Sequence, residues 1–342
     1  MTNKLRKFDI NKDSILKALG KNIIVVLLLI MVLYVGFTRE NFLSIANLQN
    51  VARNVSLRLI MALGVSGCLI TRGTDLSASR IPAIAGCLAA SVLQRPGYAS
   101  SFFKSLPKLP IIGDYYPTWL VLAVLLIVVA FCGLINGLLI AYLKIPPFIA
   151  TLGTQQIIYG CLRLFTRNQN IGALRPDYTV LATGKLLGIP YLFVIVFIVG
   201  LLMWFLYNMT RHGKYMYAIG GNEVAAEVSG INVQFTLVRI YVLAACLYGL
   251  GGFLSVAKAG SASVDMAVGW ELEAIAACTI GGVSTAGGVG KISGIVIGVM
   301  VFELMKSSIN FLGISPNYQP IIIGAVMLIS IAFDIRNTIA KK

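Results

Sequence analysis

Apolar runs recur along the whole chain, and polar residues collect in the stretches between them. Ten runs cover roughly 22–38, 56–71, 81–95, 118–143, 147–165, 189–209, 235–257, 271–287, 291–312 and 317–335. A hydrocarbon core of about 30 Å takes about 20 helical residues, and shorter runs fit inside a bundle. The pattern therefore predicts an all-α polytopic membrane protein of about ten transmembrane helices, one domain over residues 1–342. The third and eighth runs are short and glycine-rich, so crossing and breaking both stay open for them. Backbone leaves a helix at membrane depth only inside protein or beside a water-filled cavity.

Ten spans put both termini on one face. Outside the spans or within three residues of their ends, that face carries 15 Lys and Arg and the other carries 11, a modest bias. Six of the 15 precede the first span (Lys4, Arg6, Lys7, Lys12, Lys17 and Lys21). That position dominates orientation, so both termini are expected in the cytoplasm, with 1–21 as a cytoplasmic N-terminal segment. No small-x-small cleavage site follows Tyr34, and the first span is read as uncleaved. Five spans then follow five of opposite orientation, the geometry of two inverted halves. The connectors after spans one and six correspond: 40–54 outside and 210–234 inside. Phe42, Ile45, Leu48 and Val51 recur every third residue in the former, as in an interfacial helix.

Composition agrees with the pattern. Hydrophobic residues make up 58% and charged residues 12%, against about 25% charged in a soluble domain. A net charge of +15 would point to nucleic acid in a soluble protein, but here the basic residues flank apolar runs and meet lipid headgroups. The six cysteines sit in or beside apolar segments without metal-ligand spacing and read as small core residues. His212, between basic residues of a polar linker, reads as solvated. One histidine and no clustered carboxylates give no metal site and no catalytic constellation, so the chain is not expected to be an enzyme.

Several segments carry denser information. Gly221–Val233 (GNEVAAEVSGINV) reads as a short helix whose small face, with Ala225, Ala226 and Gly230, admits another protein; an ordinary linker helix fits the composition equally. Asp75 is an ionisable group at a span end. It either caps the third span through Ser77 and Ala78, pairs with Arg72 or Arg80, or touches substrate. Gly133 and Gly137 form a small-xxx-small face for a tight helix crossing. Asn136 beside them lines a pathway or bonds a neighbouring helix. Thr151, Thr154, Gln155 and Gln156 put neutral polar groups on the fifth span, open to a pathway or to packing. Gly281–Gly290 is not a phosphate loop, because the spacing to Lys291 is wrong and Ile292 stands where Ser or Thr is needed. It reads as a tight turn.

These segments resemble one family over nearly the whole chain: the permease subunits of ABC importers of the monosaccharide (ribose/galactose) class. Residues 220–232 are similar to the family's coupling-helix loop, G-x-N-x-x-A-A-x-x-S-G-I/V-N, with the acid at Glu223 one place early and Val224 in its stead. Gly73–Ser77 resembles G-x-D-L-S-x-G, with Ser79 replacing glycine. Gly133–Gly137, Pro146–Thr154, Glu271–Ala277 and Gly281–Gly290 match further family segments. The resemblance implies an import permease in the bacterial cytoplasmic (inner) membrane that translocates a monosaccharide, galactose or glucose first and ribose-like sugars next. It implies a second copy of the chain, a cytoplasmic ATPase subunit that uses the ATP, and an extracytoplasmic sugar-binding protein, with no cofactor on this chain. It assigns ATPase coupling to Asn222, Glu223, Ala225, Ala226 and Gly230. Asp75, Ser77, Asn136, Thr151, Thr154 and Gln155 become candidates for the pathway. The alternatives are an ABC permease for nucleosides and an ion-coupled secondary transporter. The latter needs midplane acids, of which only Glu303, beside Lys306, lies well inside a span.

Overall fold

Each of the ten apolar runs overlaps a helix in the computed structural model, which describes residues 23–98, 101–103 and 116–339. The N-terminal segment 1–21, with its six basic residues, and Lys104, Lys108, Lys341 and Lys342 lie outside the described residues. In chain order the main helices are α1 (Ile23–Thr38), α2 (Ile45–Ile70), α3 (Ile81–Val92), α4 (Thr118–Ala141) and α5 (Pro147–Thr166). After α6 (Pro176–Thr183) come α7 (Tyr191–Met209), α8 (Arg211–Gly221) and α9 (Glu223–Val228). The chain continues through α10 (Val233–Ala259), α11 (Trp270–Ile280), α12 (Ile292–Phe311) and α13 (Gln319–Ile339). Five of these, α2, α4, α7, α10 and α12, are long and apolar enough to cross a membrane by themselves. The chain is a helical, polytopic membrane protein.

The centre is built on α2 and α10. In their apolar windows 83% and 72% of residues are buried, against 22% in α4 and α7, which present their side chains outward. Side-chain caps set where both central helices begin. Ser44 accepts the Asn47 N–H at 3.3 Å, and Asn232 accepts that of Phe235 at 2.8 Å. Gly260, at φ 74°, ends α10 in the left-handed conformation that glycine adopts without strain. The Gly133–Gly137 face seats α4 on α10 as its spacing predicts. A Cβ on Gly133 would lie 2.5 Å from the Tyr241 carbonyl oxygen, and one on Gly137 2.7 Å from Val238 Cα.

Helix α3 has 12 residues and α11 has 11. At 1.5 Å per residue they are about 18 and 16 Å long, well short of a full crossing. Each follows a central helix after a loop: α2 has 26 residues and α10 has 27. The long-then-short pair thus occurs once in each half of the chain.

Two expectations change. Residues 40–54 do not form a separate interfacial helix, because α2 starts at Ile45 and runs unbroken. Phe42 and Val51 are buried while Ile45 and Leu48 are exposed, so the four share no face. Phe42 sits before the helix and packs edge-on against Phe311 at 5.3 Å. Among the cysteines, Cys68, Cys87 and Cys278 are buried, but Cys161 is exposed on α5 and is no core residue. The polar stretch before α7 also holds structure the pattern did not reveal: α6 and a two-stranded hairpin pairing Lys185 with Pro190. The hairpin docks on the start of α2, where Gln49 Nε2 donates to the Gly188 carbonyl at 2.9 Å.

Candidate functional site

The connector between α7 and α10 folds into two short helices. Asn222 ends α8 and begins α9, its side chain accepting the Ala225 N–H at 3.0 Å. Gly230, at φ 83°, closes α9, its N–H bonding the Glu227 carbonyl at 2.9 Å. Ala226 is buried against Ala141, Ile219, Val233 and Leu237, which fixes the helix to the bundle. Ala225 is exposed, and beside it Val224 and Val228 stand 70% and 85% exposed. The outward face of α9 is therefore apolar and branched, where the sequence pointed to small residues. Val224 and Val228 are four residues apart, and that spacing was the available signal. Glu223 faces sideways to Lys144 at 3.3 Å, an exposed pair of little energetic weight. His212, expected in solvent, is buried at the start of α8 beside Tyr207 and Met216. Burial first, and the Arg239 charge second, hold its imidazole below the usual range.

Arg72 ties this connector to the central helix. Its Nε donates to the Gly220 carbonyl at 2.9 Å and its Nη2 to that of Gly221 at 2.6 Å. These are the last two residues of α8, where unpaired carbonyls and the helix dipole favour a cation. The 281–291 turn closes the junction: the Gly288 N–H donates to the Ile70 carbonyl at 2.8 Å. A Cβ on Gly220 would lie 1.8 Å from that same oxygen, and one on Gly287 2.4 Å from Arg72 Cγ. The glycine run is the tight turn its composition predicts, and its glycines permit three backbones to meet.

The proposed pathway residues form a buried hydrogen-bond cluster nearby. Asp75 accepts the Ser77 N–H at 3.0 Å and the Ser77 hydroxyl at 2.5 Å, so it caps the 3₁₀ turn at Leu76–Ser79. Arg72 is engaged with α8, and Arg80 donates to the Val264 carbonyl and approaches Asp265 at 3.5 Å. Asn136 Nδ2 donates to Ser77 Oγ at 3.0 Å, and Thr151 Oγ1 accepts the Leu76 N–H at 3.1 Å. Asp75, Ser77, Asn136 and Thr151 are thus brought together, with their polar groups largely directed at one another. Thr154 bonds its own helix at Ala150, and Gln155 is half-buried.

Toward the opposite end of α2, about 18–35 Å from Ile70 by helical rise, lies a cavity of about 610 Å³. Asn47, Asn50, Asn54 and Arg58 recur at spacings of three and four along one face of α2 and line it. Glu303, Lys306, Ser307 and Asn310 line it from α12. Its floor is a closed ring of charge. Arg58 reaches Glu273 at 2.8 Å and Glu303 at 3.5 Å; Lys306 reaches the same two carboxylates at 2.7 and 3.4 Å. The Arg58 guanidinium lies 4.1 Å from the Trp270 ring centroid. The sequence exposed only the Glu303–Lys306 pair. Glu273 and Arg58 sit on other helices, and only packing makes them its partners.

The comparisons cover nearly the whole chain. The family model described as "Branched-chain amino acid transport system / permease component" matches residues 47–331. The galactose/methyl galactoside import permease protein MglC of Escherichia coli (strain K12) is 39% identical over 340 residues, 97% of this chain and 99% of the relative. Its counterpart in Haemophilus influenzae (strain ATCC 51907 / DSM 11121 / KW20 / Rd) is 38% identical over the same shares. The ribose import permease protein RbsC of Escherichia coli (strain K12) is 32% identical over 311 residues, 90% of this chain and 91% of that one. No solved structure matches the chain significantly.

Proposed function

The chain belongs to the family of branched-chain amino acid transport system permease components, and from that premise we propose that it is the membrane subunit of an ABC importer for a monosaccharide. It is a multi-pass transport component of the cytoplasmic (inner) membrane and not an enzyme. Galactose or a galactoside leads as the cargo, because relatives of that name match over 97% of the chain; ribose-like sugars follow. The partners are a second copy of the chain, a cytoplasmic ATPase that supplies the ATP chemistry, and an extracytoplasmic sugar-binding protein.

Helix α9 carries the reading. It is a short helix held at both ends and plugged into the bundle by Ala226, and it offers Val224 and Val228 to the outside. An exposed, branched apolar knob on a rigid base suits a cleft on another protein. Asn222 and Gly230 shape it, Glu223 borders it, and Ala225 lies within the contact face. ATP-driven closure of the ATPase pair would pull on α9. Arg72 and the 281–291 turn would pass that movement to α2, and so to the far end of the bundle. The permease need only favour different conformations in the two nucleotide states.

About ten membrane helices, cytoplasmic termini and two inverted halves complete the proposal. The six N-terminal basic residues support the orientation. The long-then-short pairs α2–α3 and α10–α11 support the repeat. In this topology the short helices α3 and α11 act as half-crossings inside the protein, and α9 faces the cytoplasm.

Reconstitution of the permease with its ATPase and binding protein in proteoliposomes tests the reading. Galactose uptake should require ATP inside the compartment that α9 faces. Val224→Asp with Val228→Asp, or Gly230→Trp, should abolish sugar-stimulated ATPase while the permease still folds. Stimulation that survives these changes removes α9 from the coupling role. Uptake driven by an ion gradient without ATPase overturns the importer reading.

A further inference from the structure

The polar cavity at the start of α2 is unlike its surroundings. Polar side chains inside a membrane bundle are expensive and persist where they serve a pathway. Here they form facing stripes on α2 and α12, with α10 contributing Ser255 and Lys258. At about 610 Å³ the space falls within the ~300–1,000 Å³ usual for small-molecule sites.

Which ligand it suits follows from what each lining group is already bonded to. The floor holds two cations and two carboxylates in mutual contact, so it presents no net charge. Lys258 is bonded to Asn54 Oδ1. Asn310 Oδ1 accepts from Gln319 at 2.7 Å, and Asn47 Nδ2 donates to the Phe42 carbonyl at 2.7 Å. Asn50, Ser255 and Ser307 remain: their side chains make no hydrogen bond to another described residue, and all three line the cavity. An amide and two hydroxyls each both donate and accept. That set matches an uncharged polyol, whose hydroxyls do the same. A cation would meet Lys258 directly, and an anion would meet the Glu303 carboxylate in the same lining.

We propose that this cavity is a monosaccharide site within the permease itself, in which a neutral sugar bonds to Asn50 of α2, Ser255 of α10 and Ser307 of α12 above the Arg58–Glu273–Lys306–Glu303 floor. The proposal deepens the importer reading and rests on it. Beneath the ring Met61 and Phe302 are buried, so the ring closes the site toward the coupling end. The cavity is thus placed to receive sugar on the side away from α9, the side from which a binding protein would deliver it.

Two measurements on the full-length chain test this. Saturation-transfer NMR on the permease alone in nanodiscs, with galactose as probe, should show weak binding. Asn50→Leu and Ser307→Ala should each weaken it about fivefold, the effect of one lost hydrogen bond of about 1 kcal/mol. Asn50 is exposed and its side chain bonds to no described residue, so its replacement leaves the fold intact. Galacturonate should compete more poorly than galactose. Transport by the reconstituted complex is then measured for the Asn50→Leu/Ser307→Leu double variant, expected to lose most of its uptake rate. Galactose uptake by the wild-type complex with unchanged uptake by the double variant overturns the site and leaves the importer standing. Galacturonate competing as well as galactose overturns the neutral-sugar assignment. A wild-type complex that imports neither galactose, glucose nor ribose overturns the importer reading, and the site with it.

Discussion

His212 shows how far a single side chain departs from what its neighbours in sequence imply. Between the basic Arg211 and Lys214 it looks solvated, yet α8 turns it toward α7 and α10, where burial and the Arg239 charge hold its proton affinity down. The unfolded chain then binds a proton more readily than the folded one. Stability from this group is complete above about pH 6.5 and falls as pH drops toward the folded-state value. The denaturation midpoint in detergent should decline from about pH 7.5 to about pH 5, and His212→Gln should flatten that decline. Gly230 makes a different point. Nothing lies within 4 Å of a Cβ built there, but its φ of 83° is left-handed. Gly230→Ala should therefore cost about 1 kcal/mol through backbone strain alone. Thermal denaturation checks this against Gly221→Ala, where the same open space carries no such φ.

At the scale of elements, the junction of α2, α8 and the 281–291 turn joins the connector to the bundle. A guanidinium spans two adjacent carbonyls because its donors lie in a fixed plane; an ammonium does not. Arg72→Ala should lower sugar-stimulated ATPase severalfold while leaving ATPase association, measured by co-purification, near wild type. Arg72→Lys should recover only part. Equal loss of association and stimulation would make Arg72 a structural support of α9 and not a transmitter. The crossing of α4 on α10 is the stability counterpart. Gly133→Val places carbon atoms where the Tyr241 carbonyl and Ala245 already stand. Overpacking of this kind typically costs about 1–3 kcal/mol, seen as a lower denaturation midpoint with no new coupling defect.

At the scale of the whole molecule, the bundle separates two ends. The α9 knob lies at one, and the polar cavity with its charged floor lies at the other, with α2 running between them. In the proposed topology those ends face opposite sides of the membrane. A membrane-impermeant thiol reagent added from outside should label Asn50→Cys but not Ser229→Cys in intact cells, in a background whose exposed Cys161 has been replaced. Labelling of Ser229→Cys from outside would invert the topology.

Residue order alone marked the apolar helices, because a run of about 20 apolar residues in lipid satisfies its backbone hydrogen bonds within itself only as a helix. It also marked the glycine faces and the connector that holds α9, and named capping among the roles open to Asp75, since these depend on residues within a few positions of one another. Its reach ended where partners come from distant segments. Ala225 and Ala226 read alike until packing buried one and exposed the other. Asn47, Asn50 and Asn54 read as connector until α2 proved to begin before them. The Glu303–Lys306 pair became a ring only when Arg58 and Glu273 arrived from two other helices. Those outcomes belong to the tertiary structure, because which face of a helix turns inward is set by the surface packed against it.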